Sequence, residues 1–141
     1  MSDANMEEIR MNRLIAVIVL LLLSGRLFAA EDSDSYTATV NAQGEQEIFM
    51  EAESYSYTPD RIVVRVGVPV VLNVKKKGII PHDIIIDDPA SGLDIKESLS
   101  SSTVIRFTPR EKGEFPLYCG KSLLFFKTHR EKGMHGVLVV K

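Results

Sequence analysis

The stretch YCGKSLLFFKTHREKGMHG, Tyr118 to Gly136, carries Cys119, His129 and Met134 between two apolar runs, Glu114–Tyr118 and Gly136–Val140. Cys119 is the only cysteine in 141 residues, and the chain has just three histidines: His129, the adjacent His135, and His82 upstream. One thiolate, two imidazoles and a thioether form the donor set of a mononuclear blue-copper site, which uses a near-trigonal N2S array with a weak axial sulfur. Zinc sites favour cysteine pairs or three harder ligands and rarely take a thioether. A dinuclear copper centre would need a second cysteine. The arrangement also speaks for a fold, because a β-sandwich brings such ligands together when one histidine begins a strand and the others lie on the loop joining the last two strands.

Working outward, short alternating runs recur. Thr37–Val40 and Glu47–Met50 read as strands, as does Arg61–Val66 with Ile62, Val64 and Val66 on one face. Gly67 to Pro69 is a turn signal, after which Val70, Leu72 and Val74 resume the alternation. Ile84–Ile86 follows His82, and Thr103, Ile105 and Phe107 share another face. Punctuation at Thr58-Pro59-Asp60, Asp87-Asp88-Pro89 and Thr108-Pro109 separates the runs. Six to eight strands at this spacing predict an all-β, Greek-key β-sandwich. The polar stretch from Ala90 to Ser102 reads as a loop or helical turn, and Lys75-Lys76-Lys77 as a solvated turn that could also steer an anionic partner.

Three segments, Tyr57 to Gly67, Pro81 to Ile84 and Tyr118 to Gly136, resemble the cupredoxins of the plastocyanin and auracyanin type and the copper domain of oxidase subunit II. The resemblance covers about Glu47 to Lys141. It implies one type I copper with His82, Cys119 and His129 as equatorial ligands and Met134 as the axial one. It also implies that His129 is the ligand nearest the surface. Asp83 and Gly120 flank two of these ligands, and Asp83 is expected to pin the ligand loop through hydrogen bonds, which orient ligands and tune a metal. His135 should face away from Met134 on an extended backbone and stay exposed. The departure is the nine residues between Cys119 and His129, where plastocyanin-like loops place two to four. Leu123, Leu124, Phe125 and Phe126 fill that insertion and are expected to be partly buried, with Phe125 or Phe126 packed and at least one neighbour exposed for partner docking.

Composition is ordinary for a globular domain, with 45% hydrophobic and 26% charged residues and a formal net charge of −2. No basic stripe argues for nucleic acid. Ten apolar residues, Leu14–Leu23, follow Arg10 and Arg13 and precede Ala29 and Ala30. That is the layout of a secretory signal peptide over residues 1–30, with Met11 as an alternative start, and too short a run to span a bilayer comfortably. Residues 31–46 then read as an acidic linker and first strand, and 47–141 as the copper domain. The expectation is a periplasmic, monomeric protein, touching a membrane only through an uncleaved leader. Its partner would be a cytochrome, an oxidase or a copper-handling protein. Electron transfer is the first reading, copper tolerance or delivery the alternative, and an enzyme the weakest, since no catalytic arrangement can be assembled.

Overall fold

The computed structural model describes residues 35–141; the expected leader lies outside them. Ten strands run in chain order: β1 (Ser35–Thr37), β2 (Gln46–Glu53), β3 (Ser56–Thr58), β4 (Arg61–Val64), β5 (Val70–Lys76), β6 (His82–Asp88), β7 (Leu93–Leu99), β8 (Thr103–Phe107), β9 (Gly113–Tyr118) and β10 (His135–Val140). They form a six-stranded sheet in the order β1-β4-β10-β9-β6-β7 and a four-stranded sheet in the order β3-β2-β5-β8. The all-β sandwich expected from the sequence is therefore the observed architecture.

Period-2 burial explains each strand. Gln46, Ile48, Met50 and Ala52 of β2 face the interior, while Glu47, Phe49 and Glu53 face solvent. His82, Ile84 and Ile86 of β6 and Phe115 and Leu117 of β9 supply the opposing layer. The interior is one apolar cluster drawn from both sheets. Its only polar intruder at the β4–β5 turn is Gln46, whose amide donates to the Arg65 and Val68 carbonyls and accepts the Arg65 N–H, so no buried polar atom there lacks a partner.

Four elements differ from the sequence expectation, the first being β1, which spans Ser35–Thr37 where Thr37–Val40 was expected. The stretch from Ala90 to Ser102 contains β7, an edge strand antiparallel to β6. Its four polar residues mask an alternation in which Leu93, Ile95 and Leu99 point inward. Lys75 and Lys76 belong to β5 rather than to a turn, and Lys75 and Lys77 both pair with Glu51 on the neighbouring β2. The short β3, unread in the sequence, pairs with β2.

Topology places the ligand candidates. β6 begins at His82, β9 ends at Tyr118 and β10 begins at His135, with β9 antiparallel to both β6 and β10. All three strand ends therefore lie at one end of the six-stranded sheet. Side-chain alternation continues just past them: Cys119 follows Leu117 inward, and Met134 precedes Gly136 and Leu138 on the inner face of β10.

Candidate metal centre

His82, Cys119 and His129 converge. Their ligating atoms all lie within 4.8 Å of one another, and all three residues are buried. His82 Nδ1 stands 3.2 Å from His129 Nδ1, and Cys119 Sγ is 3.5 Å from the same His129 nitrogen. Ordinary metal–nitrogen and metal–sulfur bonds of about 2.0–2.3 Å fit between donors at these separations. Met134 is fully buried beside them and tied to both neighbours by backbone bonds, its N–H donating to the His129 carbonyl at 2.9 Å and its carbonyl accepting the Cys119 N–H at 3.0 Å.

The spacing between His129 and Met134 has a local cause. Thr128 and Glu131 form a capping box: the Glu131 carboxylate accepts the Thr128 N–H at 2.7 Å, and Thr128 Oγ1 accepts the Glu131 N–H at 3.2 Å. The turn so started closes with Gly133 at φ 105°, a conformation suited to glycine, and delivers Met134 back beneath His129. Four intervening residues are what one capped turn needs.

Asp83 joins the two halves of the site. Its N–H donates to Cys119 Sγ at 3.4 Å, its carboxylate accepts the Gly120 N–H at 2.7 Å, and its carbonyl accepts the Tyr57 hydroxyl. Gly120 packs so closely that a Cβ there would stand 3.0 Å from Ile85 Cδ1. Tyr57 was not singled out from the sequence as a site residue, although it lies within a segment that resembles the cupredoxins. Burial, reinforced by nearby Cys119 and Asp83, pushes its phenol far above the ordinary value, which fixes it as a neutral donor.

Burial dominates the electrostatics. It lowers the pKa of His82, with His129 and Lys76 adding to the effect, and that of His129, with Lys132 adding. It raises the Cys119 thiol against the opposing pull of the Asp83 and Lys121 backbone N–H groups. The imidazoles are thus held neutral, the form a metal requires, while the thiol keeps its proton until a cation displaces it.

All four candidate ligands are enclosed, and His129, expected to lie nearest the surface, is the one of them above 0% exposure. Only 1% of it is exposed, and its Nε2, like that of His82, is buried without a hydrogen-bond partner. Tyr55 covers it, ring centroids 4.8 Å apart in an edge-on contact, with Lys132 lying over the outer face of Tyr55. Nothing in the sequence pattern pointed to Tyr55. His135 is exposed, as expected.

The insertion is a side branch. Ser122 bridges Thr128, and the His129 N–H donates to the Lys121 carbonyl at 2.7 Å, closing the loop at its base. The expected packing of Phe125 or Phe126 is not found: Leu123, Leu124, Phe125 and Phe126 are all exposed, Phe125 completely.

A family model described as a cupredoxin-like domain matches residues 13–140. The chain belongs to the cupredoxin-like family. Its donor cluster of two histidines, a cysteine and a methionine fits one type I copper. Among solved structures, this cupredoxin is similar to a copper binding protein determined in its apo form, with 27% identity, 76% of this chain and 97% of that one covered, and a TM-score of 0.58. It shares its fold with the metal binding domain of a Cu(I) exporting P-type ATPase from Streptococcus pneumoniae (24% identity, 77% and 97% coverage, TM-score 0.59). It also shares its fold with auracyanin A, a blue copper protein of Chloroflexus aurantiacus (16% identity, 70% and 100% coverage, TM-score 0.52). No curated protein sequence matches the chain.

Proposed function

We propose that this cupredoxin is an exported, periplasmic electron carrier in which His82, Cys119 and His129 hold one copper ion and Met134 supplies the weak fourth ligand. The observation that carries this reading is a donor set already assembled and braced. Asp83 bonds to the Cys119 sulfur and to the Gly120 N–H, and Met134 bonds through its backbone to Cys119 and His129. Bound copper would supply a one-electron Cu(I)/Cu(II) couple, and a frame that cannot relax around either state suits rapid exchange. The chain's own residues hold the imidazoles neutral, exclude water through Tyr55 and fix the thiolate between two N–H donors. A cytochrome or oxidase would be the partner of a monomeric carrier.

Copper handling is the second reading, favoured by the relative named a copper binding protein. The covered His129 weighs against it, because a delivery protein needs a ligand that an acceptor can reach. Two measurements separate them. A carrier should release Cu(I) to a chelator slowly and exchange electrons rapidly; fast release with slow electron exchange would establish handling instead. In the same protein Met134→Leu should raise the reduction potential, while His135→Ala should leave the visible and EPR spectra unchanged. The reverse ranking would show the axial ligand to be wrongly assigned.

A further inference from the structure

The insertion between Cys119 and His129 is built as a protruding tip. Ser122 and Thr128 bridge at its base, the Phe126 N–H donates to the Leu123 carbonyl across its turn, and Leu124 takes a φ of 54°. That left-handed conformation is uncommon for a bulky residue, and glycine or asparagine would hold it more easily. A leucine there presents an apolar side chain outward despite the backbone cost. Leu123, Leu124, Phe125 and Phe126 are 49%, 80%, 103% and 67% exposed, so the tip is convex and apolar on every side. Ile79, 97% exposed on the β5–β6 connection, lies at the same end of the sandwich.

Charge identifies the occupant. From Lys121 to Lys132 the chain has four basic residues and one acid; Arg130 and Lys132 lie over the Tyr118 and Tyr55 rings, so Lys121 and Lys127 are the cations beside the tip. The acid, Glu131, is engaged with the Thr128 N–H and hydroxyl. Protein interfaces are depleted of lysine relative to the rest of the surface, whereas Lys121 and Lys127 bracket this apolar tip on both sides. Apolar side chains ringed by lysines are instead the chemistry of an element that dips into the headgroup region of a bilayer while its cations meet anionic lipids. We infer that the Leu123–Phe126 tip inserts into the surface of an anionic membrane. The His129 N–H bonds directly to the Lys121 carbonyl, so this docking holds the metal cluster close to the membrane surface. This contact is distinct from any made by a leader.

The chain has no tryptophan, so a single indole reports locally. In the full-length protein, with and without copper, Phe125→Trp should show blue-shifted emission and quenching by brominated lipid on vesicles of phosphatidylcholine with phosphatidylglycerol. Phe49→Trp, on the exposed face of β2, should stay as it is in water even when a leader tethers the chain. Leu124→Ser/Phe126→Ser in the Phe125→Trp background should weaken the response about tenfold or more. Lys121→Gln/Lys127→Gln should weaken it on anionic vesicles only. Equal quenching at positions 125 and 49, or an indole at 125 that stays in water on anionic vesicles and responds only to a protein partner, would overturn the inference.

Discussion

The Cys119–Met134 connection contains two kinds of structure side by side. Gly120, Lys121 and the turn from Thr128 to Met134 are locked by hydrogen bonds to Asp83, to each other and to Cys119. The residues between, Leu123 to Phe126, share one backbone bond within their own turn and bury little side chain. The Ser122–Thr128 bridge separates the two. A ligand loop can therefore gain residues without disturbing its ligands, provided the insertion closes on itself before rejoining the frame. The long spacing that set this sequence apart from shorter-looped cupredoxins changes what the copper end presents outward, while the donors keep their places.

The sharpest way to break this comparison is inside the locked part. Cys119→Ser should abolish the intense visible absorption of the copper-loaded protein, because a hydroxyl is a poor soft-metal donor. A coloured Cys119→Ser protein would mean that the thiolate does not bind the metal and that the bracing around it serves something else.

Next in size is a backbone contact beneath the site. A Cβ at Gly136 would overlap the Asp60 carbonyl oxygen, which already accepts the Val137 N–H at 2.8 Å. Parallel pairing of β4 with β10 leaves no room to shift one strand alone. Gly136→Ala should cost at least about 2 kcal/mol in urea unfolding, or prevent folding. A neutral result would show that the β10 entry to the site is softer than its hydrogen bonds indicate.

Much of this was legible in the sequence, for a physical reason. Strands with one buried face announce themselves by alternation, so β2, β4, β5 and β8 could be read directly. β7 could not, since Asp94, Lys96, Glu97 and Ser98 outweigh Leu93, Ile95 and Leu99 in composition, and Glu97 interrupts the buried register. The donor types and order named the metal cluster. Tyr55 escaped because its contact with His129 spans seventy-four positions and depends on how β2 turns into β3, a detail that no local pattern encodes. The tip misled for the opposite reason: an apolar run was expected to find cover, and here it stays in solvent.

A smaller effect should appear with pH. Burial holds the His82 and His129 pKa values below the ordinary 6.5. Above that value both rings are neutral whether the chain is folded or not, so their contribution to stability is complete. As pH falls through 6.5 the unfolded chain takes up protons that the folded chain refuses, and stability is lost progressively down to the folded values. The copper-free protein should therefore melt at lower temperature as pH drops from about 7 to about 5. A flat profile would mean that the two rings are more hydrated than their burial shows.

The smallest effect belongs to the tip, and its smallness is the point. Side chains exposed to this extent contribute little to folding, since surface substitutions usually stay within about 0.5 kcal/mol. Leu123→Ser/Phe126→Ser should leave the urea midpoint and the visible spectrum of the copper protein unchanged, because the base of the loop is closed by backbone groups that serine retains. The measurement pairs urea unfolding with absorption spectroscopy on the same sample. A loss of stability comparable to that of Gly136→Ala would show the apolar run folded over the copper end in solution, and the division of this connection into a locked frame and a free tip would fail.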